Sequence, residues 1–303
     1  MDASTSPVPH PGLPHGSLVA LLTPFTDEQR IDKPSFRRMI DLHIAEDTSG
    51  IVVAGSTGES ATLSHAEHRD LLVTAVEHSA GRIHVMAGVG ANSTSEAVEL
   101  ARFASDHGVD SLLSVVPYYN KPTQKGLIAH FSAQADASDV PLVLYNVPGR
   151  TVIDMAVSSV EALARHPNIA GLKDATGDMA RAAQTAEVVP PGFMLYSGDD
   201  LTTLPYLALG GHGVISVLAN LLPREVATLC NECRVGRWED ARARFFRVLP
   251  LTRALFVESS PAPLKLAACW QGLCTEQLRL PLYRVQESTA RQLKTAWLPW
   301  QGE

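Results

Sequence analysis

Ile169-Ala-Gly-Leu-Lys-Asp-Ala-Thr-Gly177 is a short apolar run that ends in a lysine and then breaks into turn residues. A run this short, bounded by Gly, Asp and Thr, reads as a strand buried on both faces of a parallel sheet rather than as a helix. Lys173 then stands at the carboxyl end of a strand, which in a parallel barrel is the face where chemistry is done. Burial there disfavours an ammonium, and a neutral amine can attack a ketone to form a Schiff base. The plainer alternative is a lysine whose stem lines the barrel mouth and whose head pairs with Asp174.

Seven comparable runs flank this one, at 18–22, 50–53, 83–87, 111–115, 142–145, 194–197 and 213–216, while the run itself spans 170–173. Between them, stretches such as 35–47, 65–79, 94–107 and 125–137 place apolar residues at helical spacing, often after a capping residue such as Ser64, Ser93 or Thr94. Strands alternating with helices imply parallel strands joined by right-handed crossovers. Eight such units predict closure into a (β/α)8 TIM barrel over residues 16–222, with a doubly wound open sheet as the alternative. Beyond Ser216 the pattern turns wholly helical, at 223–235, 238–256, 263–272 and 285–297, so 223–303 reads as a C-terminal helical extension. Residues 1–15, rich in proline, read as a flexible arm.

A chain of 303 residues with 45% hydrophobic content suits one large core with an added segment. The net charge of -7 and the lack of a long basic cluster speak against nucleic acid. No stretch approaches the roughly 20 apolar residues that span a bilayer, and the start has no apolar core of a signal peptide, which predicts a soluble cytoplasmic protein. Cys230, Cys233, Cys269 and Cys274 lack the matched pairs of a zinc site and read as reduced structural thiols. His65 and His68 are one turn apart, but no His-Glu-x-x-His pattern completes a metal site. No metal is therefore expected.

The carboxyl ends of the strands carry Thr23-Pro24, Gly55-Ser-Thr-Gly-Glu-Ser60, Gly88-Val-Gly-Ala-Asn92, Pro117-Tyr-Tyr-Asn-Lys-Pro122, Tyr145-Asn-Val-Pro-Gly-Arg150, Lys173 and Ser197-Gly-Asp-Asp200. In Gly55–Ser60 the glycines permit a tight turn whose successive N–H groups could cradle a carboxylate, although an ordinary strand-to-helix turn would look the same. Gly88–Asn92 opens like a dinucleotide fingerprint but lacks its third glycine, so nicotinamide is not expected. Tyr145, one strand before Lys173, could share a substrate with it, and a phenol linked to the hydroxyl of Ser56 or Thr57 and to Tyr118 or Tyr119 would make a proton relay. Buried tyrosines that merely satisfy their hydroxyls are the competing explanation. Arg150 suits bidentate recognition of a second carboxylate, or is a solvated surface arginine.

Together these motifs, with Gly210-Gly-His-Gly-Val-Ile-Ser216, Leu255-Phe-Val-Glu258 and Leu278-Arg-Leu-Pro281, resemble the 4-hydroxy-tetrahydrodipicolinate synthase (dihydrodipicolinate synthase) family, of the pyruvate-dependent N-acetylneuraminate lyase superfamily. The likeness runs from about Gly16 to the end of the chain. The lysine and the Gly-x-x-Gly-Glu turn mark only the superfamily; Arg150 after Tyr145-Asn-Val-Pro and the run Tyr118-Tyr119-Asn120 are narrower signals. The resemblance implies a Schiff-base lyase, without other cofactor, that condenses pyruvate with L-aspartate 4-semialdehyde in lysine and diaminopimelate biosynthesis. It implies catalytic roles for Lys173, Tyr145, Ser56 and Tyr119, the last reaching in from a neighbouring subunit. Thr57, Arg150, Gly198 and Ile215 would bind substrate. The family usually has threonine where this chain has Ser56, which keeps the hydroxyl but loses a methyl that restricts its rotamer. Ala61, His65, His68, Asn92, Glu96 and Tyr118 match an effector pocket for L-lysine, and the resemblance implies a homotetramer built as a dimer of dimers. Another pyruvate-dependent class I aldolase, acting on a sugar acid or 4-hydroxy-2-oxoglutarate, and a non-catalytic barrel that binds a keto acid are the rival readings.

Overall fold

Eight parallel strands close into a barrel in which sequence neighbours are also neighbours in space. The computed structural model describes residues 12–301, so most of the N-terminal arm, residues 1–11, lies outside the described residues. The strands are β1 Gly16–Ala20, β2 Gly50–Val53, β3 His84–Gly88, β4 Ser111–Val115, β5 Leu142–Asn146, β6 Ile169–Asp174, β7 Met194–Ser197 and β8 Gly213–Ser216. The ring is sealed where Leu18 of β1 lies opposite Ile215 of β8, and this closure rules out the doubly wound sheet. β1 starts two residues earlier than its apolar run, because Gly16 and Ser17 pair with Gly213 and Val214 through the backbone alone. β6 ends one residue later than its apolar run for a similar reason: Asp174 is paired with Asn146 on one side and Ser197 on the other.

Alternation along the strands makes two separate cores. Val19, Ile51, Val85, Leu112, Leu144, Leu172, Leu195 and Val214 face outward and join the helices in the larger one. Leu18, Ala20, Val52, Met86, Leu113, Val143, Tyr145, Tyr196 and Ile215 fill the lumen. The amino end of the lumen is plugged from the N-terminal side. Leu13 is buried among the lumen residues, and the Tyr196 hydroxyl donates to the Pro14 carbonyl at 2.7 Å. Leu13 and Pro14 are thus part of the barrel's floor rather than of a loose arm.

The helices that cover the barrel are α1 Lys33–Ala45, α2 His65–Ser79, α3 Thr94–Asp106, α4 Gln124–Ala135, α5 Pro148–Thr151, α6 Val157–Leu163, α7 Met179–Val188, α8 Thr203–Ala208 and α9 Pro223–Arg234. Ser64 caps α2 in a reciprocal box with Glu67, as its position suggests, whereas the Ser93 hydroxyl bonds Ser95 and leaves α3 without a side-chain cap. α9 packs on β1 and β8, which makes it the eighth helix of the ring. The extension that follows is α10 Trp238–Ala254, α11 Ala262–Trp270 and α12 Glu287–Trp297.

One ion pair ties that extension to α2. Arg279 forks onto Glu67 at 2.8 and 2.6 Å, and this hydrogen bonding brings the Glu67 carboxyl down from the usual 4.5 to about 2. A carboxylate whose pKa is lower in the folded state contributes stability that is full above its ordinary value and is lost as pH falls through 4.5 toward about 2. Because Glu67 is partly exposed, Glu67→Gln should cost about 1 kcal/mol at neutral pH. Denaturant unfolding should show this difference from the unmodified protein shrinking as pH approaches 2. A difference independent of pH would assign the loss to packing instead.

Candidate active site

β6 sets the centre of the site through its parity. Lys173 points into the lumen and is 6% exposed, with its Nζ 4.1 Å from the centroid of the Tyr145 ring on the adjacent strand. The two residues are register partners, Tyr145 of β5 opposite Lys173 of β6. Asp174, the next residue, points the other way: its carboxylate lies 3.4 Å from the Arg181 guanidinium on α7 and accepts the Thr176 N–H at 2.9 Å. The pairing of Lys173 with Asp174 that the sequence allowed is therefore absent. Among the described residues, Lys173 has neither an ion-pair partner nor a hydrogen bond from its Nζ, and the Tyr145 hydroxyl is bonded to none of them.

Tyr196 of β7, register partner of Lys173 on its other side, was not singled out from the sequence. It is fully buried, burial pushes its phenol pKa up, and its hydroxyl is spent on the Pro14 carbonyl. An unsatisfied buried hydroxyl would cost about 1–3 kcal/mol, so this bond keeps Tyr196 structural. Tyr145 differs in having a lone phenol beside a lone amine.

The turn after β2 stands over the same mouth. Thr23 donates from its hydroxyl to the Gly58 carbonyl at 2.7 Å, fixing the turn to the end of β1. Two non-glycine residues bracket it in the left-handed region, Ala54 at φ 55° and Glu59 at φ 55°, a strained backbone that surrounding contacts must hold. Within the turn the Glu59 N–H donates to the Ser56 carbonyl at 3.1 Å and the Ser60 N–H to the Gly55 carbonyl at 3.3 Å. The N–H groups of Ser56 and Thr57 bond to none of the described residues, which is the arrangement an anion cradle requires. Thr57 is buried and Ser56 half-buried.

Arg150 sits in the one-turn helix α5 and is exposed, yet tethered: one Nη donates to the Ser260 carbonyl at 3.1 Å. Gly198 follows β7 and donates its N–H to the Asp174 carbonyl at 2.6 Å. A Cβ there would come within 2.7 Å of that of Ala175, so only glycine lets the β7 exit lie against β6. Ile215 lies in the lumen wall. Tyr119 is not brought to Lys173. It is 89% exposed, with φ 75°, so the expected relay of Tyr145, Ser56 and Tyr119 is not assembled within one chain.

The residues read as an effector pocket fall into two groups. His65 lies 3.8 Å from Glu96, and Tyr118 is close enough to Glu96 that, after burial, its charge also raises the phenol pKa. Ala61 is exposed nearby in sequence, and the Asn92 carbonyl accepts from the Asn120 amide at 2.7 Å. His68 is turned inward: its Nε2 bonds the Gly88 carbonyl at 2.8 Å, and burial lowers its pKa. A carbonyl only accepts, so Nε2 carries the proton and the ring is a neutral donor. Among the described residues, no three His, Cys, Asp or Glu side chains gather as metal ligands, and all four cysteines are free.

Sequence reading missed the contacts that come from the extension. Lys265 of α11 is fully buried with its Nζ 2.5 Å from Glu59, itself at 0% side-chain exposure. The signal was present: Ala-Pro-Leu-Lys-Leu-Ala-Ala-Cys-Trp270 holds a single charge in an otherwise apolar helix, and a lone buried lysine needs a partner.

The family model described as the dihydrodipicolinate synthetase family matches residues 13–297. The chain is 53% identical over 267 residues to a 4-hydroxy-tetrahydrodipicolinate synthase of Thiobacillus denitrificans, covering 88% of this chain and 90% of the relative. Among solved structures it resembles the chloride-inhibited dihydrodipicolinate synthase of Acinetobacter baumannii complexed with pyruvate, with a TM-score of 0.93, 40% identity and coverage of 94% and 98% of the two chains. The dihydrodipicolinate synthase of Cyanidioschyzon merolae with lysine bound is comparably similar, with a TM-score of 0.91, 39% identity and coverage of 94% and 97%. The chain belongs to the dihydrodipicolinate synthetase family.

Proposed function

We propose that this lyase condenses pyruvate with L-aspartate 4-semialdehyde to give 4-hydroxy-tetrahydrodipicolinate, and that Lys173 is its nucleophile. The observation that carries the assignment is an unpaired amine inside the barrel, held over the Tyr145 ring at the carboxyl end of β6. Family membership supports the reaction, and the relative solved with pyruvate supports the first substrate.

The amine adds to the pyruvate ketone and water leaves, forming an imine. Loss of a proton from the methyl carbon gives an enamine, whose carbon bonds to the aldehyde carbon of the semialdehyde. The semialdehyde amine then attacks the imine carbon, releases Lys173 and closes the ring. The covalent imine does the work of a cofactor. Tyr145 supplies and removes the protons, linked through Ser56 to a Tyr119 from a neighbouring subunit. The free Ser56 and Thr57 amides hold the pyruvate carboxylate, and Arg150 holds that of the semialdehyde. Gly198 and Ile215 shape the wall. The exposed, left-handed Tyr119 supports an assembly of at least two chains, and the homotetramer implied by the resemblance satisfies it. Of the effector residues, His65, Glu96, Tyr118, Ala61 and Asn92 would meet L-lysine directly, with His68 shaping the pocket from behind; the lysine-bound relative supports this. We place the enzyme in the cytoplasm from its likeness to biosynthetic synthases.

Borohydride added with pyruvate should leave a reduced adduct on Lys173, detected by mass and lost in Lys173→Ala. An unmodified lysine would overturn the assignment. Tyr119→Phe should lower turnover about 100-fold, and mixing its chains with Lys173→Ala chains should restore part of the rate, because each mixed pair then contains one complete site. A mixture no more active than Tyr119→Phe alone would place Tyr119 outside the site. Saturating L-lysine should slow turnover and raise the thermal midpoint together, and an absence of both effects would remove the effector assignment.

A further inference from the structure

Both elements assigned to substrate carboxylates are fastened to the same short stretch of the extension, at the start of α11. Its first attachment is the Ser260 carbonyl, which accepts from Arg150 at 3.1 Å. Its second is Lys265, whose Nζ lies 2.5 Å from the Glu59 carboxylate inside the turn that bears Ser56 and Thr57. The stretch between them is stiff, because the Lys265 N–H donates to the Pro261 carbonyl at 2.8 Å and so closes the first turn of the helix.

The Glu59 end is unusually complete. One carboxylate oxygen takes Lys265 and the other accepts the Arg279 N–H at 3.0 Å. The Lys265 Nζ also donates to the Gln277 carbonyl at 2.7 Å and stands 4.1 Å from the Phe25 ring centroid. Burial lowers the Lys265 pKa while Glu59 raises it, and the ion pair survives only because every partner is in place. Glu59 meanwhile keeps a left-handed backbone at φ 55°. A pair that cost-neutral packing could replace is instead spent on holding a strained residue two positions from Thr57.

We propose that residues 260–265 form a strut that fixes the spacing between the two carboxylate sites, with Glu59 and Lys265 as its positioning residues. The proposal rests on the substrate assignments given above. It places affinity for both substrates partly in the strut: each carboxylate is held well only while the strut keeps the Ser56-Thr57 turn and Arg150 in position, and that hold is the same before and during the chemical step.

The test uses the full-length enzyme and two variants. Glu59→Gln with Lys265→Met removes both charges while keeping volume, and Glu59→Asp keeps both charges but shortens the reach. Each should fold by circular dichroism and trap pyruvate on Lys173. The double variant should show KM for pyruvate and KM for the semialdehyde both raised about tenfold with kcat changed less than threefold, and Glu59→Asp a smaller shift in the same direction. A rise for pyruvate alone, unchanged KM values, or a fall confined to kcat would overturn the strut. Failure of both variants to fold would assign the contact to stability and overturn it as well. Failure of the unmodified enzyme to trap pyruvate would instead bring down the substrate assignments, and the strut with them.

Discussion

The parity of β6 is the constraint on which the chemistry depends. Side chains alternate along a strand, so Lys173 can face the lumen only if Leu172 and Asp174 face the helices. A slip of one residue would send the amine toward α7 and the carboxylate into the barrel. Asp174 guards against that slip, since its side chain finds Arg181 of α7 and the Thr176 N–H only on the outer face. The amine is left beside an aromatic ring rather than a carboxylate, so no ion pair has to be broken before it attacks a ketone.

From this centre the site is built by elements of unequal rigidity. Lys173 and Tyr145 stand on paired strands of a closed sheet and are placed by the backbone ladder. The Ser56-Thr57 turn and Arg150 lie beyond the strands and are placed by contacts from elsewhere: Thr23 on β1's exit, Lys265 and Ser260 in the extension. The C-terminal helices therefore belong to the site's architecture, even though none of the assigned catalytic residues lies in them.

Much of this was legible in the chain itself. Strand positions could be read because each parallel strand is buried on both faces and appears as an apolar run, while the ends drifted by one or two residues, as at Gly16, Gly88, Asn146 and Asp174, where a glycine or a polar residue joins the ladder through its backbone. Lys173 was legible because a charge at the end of such a run is conspicuous. Tyr196 was not, since nothing in a strand pattern reveals that its hydroxyl is answered by Pro14, 182 positions away in the chain. The Glu59–Lys265 pair joins residues 206 apart, and no periodicity connects them. Tyr118 and Tyr119 both stood out at the rim, but family likeness alone separated them, and the solvent-facing side chain of Tyr119 shows why: one chain by itself gives the residue nothing to act on.

The floor made by Leu13 and the Tyr196–Pro14 bond has an outcome for traffic. A vessel stoppered at its base is filled and emptied through one neck. The keto acid must settle at the amine before the aldehyde can lie above it, and the cyclic product must depart by the route both reactants took in. Sequential entry is thus written into the plumbing of the barrel, ahead of any rate constant.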